Sequence, residues 1–130
     1  MINGRVDDYG RALVSVKVRH PVSAAVINLD AWIDTGFTGL LFLTQAQIAT
    51  LGLSKSSTVQ GGLADGSVVA FDTYPCQIDW FGRRVHLEAM ETPGRFALIG
   101  VQLLEDCTLA IDYPARTLTI TAQTAPPSSP

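Results

Sequence analysis

Hydrophobic and polar positions alternate along much of this chain with a period of two, the signature of half-buried strands. Val14, Val16 and Val18 alternate with Ser15, Lys17 and Arg19 in a strand over Leu13 to Arg19, which His20-Pro21 ends. A second apolar run, Ala24 to Ile33, contains the β-branched Val26 and Ile27, carries Trp32, and leads into Asp34. Further on, Cys76 to Trp80 and the alternating Val85, Leu87 and Ala89 read as a hairpin turning at Phe81-Gly82-Arg83. Thr92-Pro93-Gly94 breaks the chain before a short buried strand, Ala97-Leu98-Ile99-Gly100, and a helical turn over Gln102 to Asp106. Leu109, Ile111, Leu118 and Ile120 supply a last strand pair around Tyr113-Pro114.

One helix is well signed, from about Gln45 to Leu51. The Thr44 hydroxyl caps its free N–H groups, Gln47 reaches back to complete a capping box, and Leu43 with Ile48 occupies the staple positions. Gly52 then provides the left-handed residue that ends many helices. Val59 to Leu63 and Val68 to Phe71 flank Ala64-Asp65-Gly66-Ser67, where Asp-Gly predicts a two-residue hairpin loop. Gly61-Gly62 in the first arm suits either a segment that flexes or admits another backbone, or an ordinary surface hairpin with a bulge.

The 130 residues amount to one ordinary domain, expected over 1–121, with a loose Pro/Ser-rich tail over 122–130 and no internal repeat. Hydrophobic residues make up 47% of the chain and charged ones 16%, which excludes disorder and leaves an apolar surface that self-association would cover. The net charge is −3 and only Arg83-Arg84 pairs two basic residues, so neither nucleic acid nor an anionic membrane is an expected partner. With no apolar stretch near 20 residues and no basic, hydrophobic leader in Met1 to Gly10, a cytoplasmic location is expected. Cys76 and Cys107 show no Cys-x-x-Cys spacing and are expected as free thiols.

Several chemistries fail for want of residues. His20 and His86 stand apart from any cysteine or carboxylate at ligand spacing, so no metal or other cofactor is expected. There is no Gly-x-Ser-x-Gly elbow, no supported Cys-His pair, and no Lys-Ser/Thr after the glycines to make a phosphate loop. Ile33-Asp34-Thr35-Gly36 remains: a carboxylate at the end of a strand with a small residue behind it, where another backbone and a water could approach closely. The same residues also suit a plain turn in which Asp34 accepts local N–H groups.

The order of parts narrows the choice. A strand runs into Asp34-Thr35-Gly36, and then come a capped helix, a glycine-bearing hairpin, Leu98-Ile99-Gly100, and strands through Ile111-Asp112-Tyr113 and Arg116-Thr117-Leu118. From about Val14 to Ile120 the chain resembles the retropepsin-like aspartic peptidases, specifically their short, single-domain prokaryotic members. The resemblance implies a mostly β, closed acid-protease barrel with one short helix after the Asp-Thr-Gly loop and a flap hairpin. It implies a homodimeric endopeptidase acting on peptide or protein substrate, with Asp34 of each copy as the catalytic carboxylate. Thr35 would hydrogen-bond across the dimer axis, Gly36 would permit close approach, and Thr38, Leu98, Ile99 and Gly100 would support the loop. Gly61, Gly62, Leu63, Ala64, Asp65 and Gly66 would form the flap over substrate. Phe37 departs from the alanine common at its position, and Val101 and Gln102 replace frequent charged residues, so polar bracing there must come from elsewhere or be absent. Two rival readings use the same residues: a non-catalytic dimer binding peptide in that groove, and a monomeric β-domain in which the motif is only a turn.

Overall fold

A computed structural model describes residues 1–123. In chain order the elements are β1 (Ile2–Val6), β2 (Ala12–Arg19), β3 (Val26–Ile33), β4 (Leu41–Thr44), α1 (Gln45–Leu51), β5 (Ser57–Gly62) and β6 (Val68–Trp80). They continue with β7 (Arg83–Thr92), β8 (Ala97–Ile99), α2 (Val101–Leu104), β9 (Cys107–Asp112) and β10 (Thr117–Ala122). Most of the expected tail, from 124 to 130, lies outside the described residues; Ala122 closes β10, and the Gln123 N–H donates to the Asp106 carbonyl. No helix among the described residues is long and apolar enough to cross a membrane.

Pairing in the order β2-β3-β8-β4-β7-β6 returns to β2 and closes a six-stranded barrel. Val14, Val16, Val18, Ala31, Ile33, Leu41, Leu43, Ile78, Leu87, Ala89 and Ile99 fill it, as the inward-facing half of alternating strands must. The closing seam is short, joining Val18 to Ile78 and Arg19 to Gln77. Beside it the Arg19 guanidinium grips both oxygens of Asp79, at 2.9 and 3.0 Å. Outside the barrel, β1, β10 and β9 extend the sheet from the first half of β2, and β5 pairs with β6 alone.

α1 forms over the expected residues. Thr44 Oγ1 accepts from the Gln47 N–H at 3.2 Å, Gln47 Oε1 accepts from the Thr44 N–H at 2.9 Å, and Gly52 takes a left-handed φ of 68°. Ile48 and Leu51 turn into the core.

Other expectations are revised. The hairpin loop between β5 and β6 has three residues, Ala64-Asp65-Gly66, between Leu63 and Ser67, whose N–H and C=O are joined at 2.8 Å. Only Gly66 has positive φ, +87°, because Asp65 Oδ1 takes the Ser67 N–H at 2.9 Å and the Ser67 hydroxyl at 2.6 Å, holding a type I turn followed by a left-handed glycine. The next hairpin turns on Phe81-Gly82 alone, with φ of 51° and 75°, and Arg83 already pairs with Trp80. The expected turn over Gln102 to Asp106 begins one residue earlier, at Val101.

β1 and β4 carried no sequence signal, and β6 is one continuous strand through Pro75. The proline is tolerated because it falls between Thr73, where the β5 ladder ends, and Gln77, where the β2 ladder begins.

Thr44→Ala removes the hydroxyl that accepts the Gln47 N–H and leaves the main-chain donor of the reciprocal bond in place, and should lower unfolding free energy by about 1 kcal/mol in urea titration. The hydrogen bond and charge of Arg19 hold the Asp79 carboxyl below its ordinary range. A depressed native pKa stabilises the fold above the unfolded-state value and loses that stabilisation as pH falls through the native one. In thermal melts, Asp79→Asn should therefore lose less stability than the parent as pH drops below the ordinary carboxylate range.

Candidate active site

β3 is paired on both edges, to β2 and, in parallel, to β8, with Trp32 opposite Leu98 and Ile33 opposite Ile99. The Asp34 N–H continues this ladder by donating to the Ile99 carbonyl at 2.9 Å, after which the chain turns. The Phe37 N–H closes the turn on the Asp34 carbonyl at 3.1 Å, and the Gly36 N–H donates to Asp34 Oδ1 at 3.0 Å. One carboxylate oxygen is thus oriented by its own loop, and among the described residues the other has no hydrogen-bond partner. The local turn foreseen for this motif is present. It leaves Asp34 half-exposed and Thr35, Gly36 and Thr38 exposed.

The loop is fastened from beneath. Gly100 N–H donates to Leu40 at 3.0 Å, Val101 N–H to Phe37 at 2.9 Å, and Gln102 N–H to Gly39 at 3.2 Å, each to a carbonyl. The main-chain N–H groups of Val101 and Gln102 therefore supply polar bracing that their side chains do not. These bonds require close approach. A Cβ on Gly100 would lie 2.6 Å from Phe37 Cδ2 and collide with the Gly39 carbonyl oxygen. Leu98, Ile99 and Gly100 are thus assembled with the Asp34 loop, whereas Gly61 to Gly66 lie on the separate β5–β6 hairpin.

Trp32, Leu98, Phe42 and Met90 are register partners across β3, β8, β4 and β7, so their side chains share one outer face of the barrel. A pocket of about 280 Å³ beside the carboxylate is lined by Trp32, Ile33, Asp34 and Leu98. Phe96 meets Trp32 edge-on at 6.0 Å, and the Arg11 guanidinium, held by Asp7, lies over the rings of Tyr9, Trp32 and Phe96. None of these was singled out in the sequence, although Trp32, two positions before Asp34 on a strand, could have been. A larger cavity, about 460 Å³, surrounds the start of α1 and Glu91 to Arg95. Each cavity offers one carboxylate, Glu91 here and Asp34 there, and what marks the smaller one as the candidate site is that Asp34 is oriented by the Gly36 N–H on a loop fastened to Ile99 and Gly100.

Competing nucleophiles are poorly placed. Burial pushes the Cys76 thiol up to about 12, keeping it protonated, and burial with the nearby Asp106 charge also raises Cys107. Both are free thiols. His20 Nδ1 accepts the Val22 and Ser23 N–H groups, while the exposed His86 lies near Gln77. Among the described residues no three His, Cys, Asp or Glu side chains converge as a metal site would require.

The same architecture occurs in solved structures. A retropepsin-like aspartic protease from Rickettsia conorii matches with a TM-score of 0.63 at 15% identity, covering 94% of this chain and 90% of that one. The chain has the retropepsin-like fold. EIAV protease, complexed with the inhibitor HBY-793, matches with a TM-score of 0.54 at 22% identity, covering 74% of this chain and 86% of that one. No protein-family model and no curated protein matches the sequence. At these identities the retropepsin-like likeness is one of backbone architecture.

Gly100→Ala tests the fastening of the loop. Because Gly100 has an ordinary φ of −94°, the cost arises from collision and not from backbone strain. It should lower unfolding free energy by about 1–3 kcal/mol in urea titration and speed amide exchange at Phe37, Val101 and Gln102.

Proposed function

We propose that the protein is a homodimeric aspartic endopeptidase, hydrolysing peptide bonds with water activated between two Asp34 carboxylates, one from each copy. The observation that carries this reading is Asp34 itself: a strand-end carboxylate oriented by Gly36, on a loop pinned to Ile99 and Gly100, in a retropepsin-like barrel. Asp-Thr-Gly occurs once in the sequence, and in this proposal the second carboxylate is the Asp34 of a second copy. Both solved relatives are named as proteases, one of them bound to an inhibitor.

Two carboxylates within hydrogen-bonding reach resist ionising together, so the pair keeps one proton; aspartic proteases are the reference case of such coupling. The ionised member takes a proton from the bridging water, which attacks the peptide carbonyl. The protonated member donates to the carbonyl oxygen and later to the leaving nitrogen. No covalent intermediate forms, in keeping with thiols that stay protonated. Thr35 would bond across the two-fold axis, and the β5–β6 hairpin would close over an extended substrate as a flap. Trp32 and Leu98 would receive a substrate side chain next to the scissile bond.

Incubation with a mixed peptide library, read by mass spectrometry, should show cleavage that falls at least about a hundredfold in Asp34→Asn while sedimentation still finds a dimer. A monomer at working concentration, or cleavage undiminished in Asp34→Asn, overturns the proposal. Peptide bound without turnover would instead support a non-catalytic module on the same fold.

A further inference from the structure

We propose that Phe37, Phe42 and Phe71 are positioning residues, a ladder of rings through which the Asp34 loop and the β5–β6 hairpin set each other's placement. Phe37 belongs to the Asp34 turn through its own N–H, and its ring stacks on Phe42 of β4 with centroids 4.2 Å apart and planes at 27°. Phe42 meets Phe71 of β6 at 5.3 Å and 57°. Phe71 stands opposite Val59 in the hairpin, and its ring covers Gly61 so closely that a Cβ there would lie 2.8 Å from Phe71 Cε2. At the other end the Phe37 ring fits against Gly39 and Gly100, where a Cβ on either glycine would strike it.

These rings are not core packing. On β4, Leu41 and Leu43 are fully buried inside the barrel, whereas Phe42 points the opposite way and all three rings are half-buried. The hairpin needs such a link. β5 pairs with β6 alone, and the β6–β7 ladder ends at Thr73, so Val68 to Asp72, with Phe71 among them, pair only with β5. Stacked and tilted rings at these separations attract one another beyond simple area burial and resist sliding, so displacement at one end reaches the other.

Amide hydrogen exchange of the intact chain tests the ladder without a substrate, so its outcome is separate from that of peptide cleavage. In Phe37→Ala, exchange across Val59 to Val69 should quicken roughly three- to tenfold while β2 and α1 keep their protection, and Phe37→Tyr should behave as the parent. Reciprocally, Phe71→Leu should quicken exchange at Gly100 and Val101, which bond to the Leu40 and Phe37 carbonyls. The ladder is refuted if Phe37→Ala perturbs only 34–40 and 99–102, or if the hairpin loosens only in step with β2 and α1. Should Phe37→Ala not fold, Phe71→Leu decides: unchanged exchange at Gly100 and Val101 refutes it.

Discussion

There is room for a hydrogen atom and nothing larger on the α-carbon of Gly100, and the geometry around Asp34 depends on that vacancy. With no side chain there, the segment from Ile99 to Gln102 lies directly against the loop from Asp34 to Leu40, and four main-chain hydrogen bonds join them. A turn held by its own two bonds would be free to rock. A turn also fastened from below presents its carboxylate in one orientation, as the proposed sharing of a proton between two copies requires.

The barrel supplies the other half of this rigidity. Asp34 emerges from a strand hydrogen-bonded on both edges, and the parallel β8 that flanks it continues directly into Gly100. Carboxylate and fastening segment therefore leave the barrel side by side, each positioned by the same ladder. The outer face across β3, β8, β4 and β7 then offers Trp32, Leu98, Phe42 and Met90 as an apolar floor beside the acid. The β5–β6 hairpin is attached differently, through β6, which continues into the barrel beside β7 from Thr73 onward, and by aromatic contact beyond that ladder. Between Val68 and Asp72 its strands pair only with each other, and a segment without a ladder to the rest of the sheet moves more readily than one held on both edges.

Local chemistry was legible wherever a residue's preference is settled by its immediate neighbours. Thr44, Gln47 and Gly52 mark both ends of α1 because capping bonds span three or four residues. Val14, Val16 and Val18 mark β2 because burial on one face imposes a period of two. β1 was not legible: Asn3, Gly4 and Arg5 are weak strand formers, and their pairing is imposed by β10 and β2, distant in sequence. β4 was hidden because Leu40 to Leu43 is apolar without alternation. The Asp-Gly signal located the hairpin correctly and misjudged its loop by one residue, since Asp65 turns its side chain to Ser67 instead of adopting a left-handed backbone.

Sequence alone determined the strand-rich character, the capped helix and the Asp34-Thr35-Gly36 turn on which the proposed chemistry rests, because each is written in short-range spacing. Which residues surround that tripeptide was decided only by the tertiary structure. Trp32 is brought against Leu98 and Phe96, Phe42 against Phe71, and Val101 against the loop carbonyls by pairing between segments tens of residues apart. Contacts of that range arise from closing a barrel, and no local pattern along the chain encodes them.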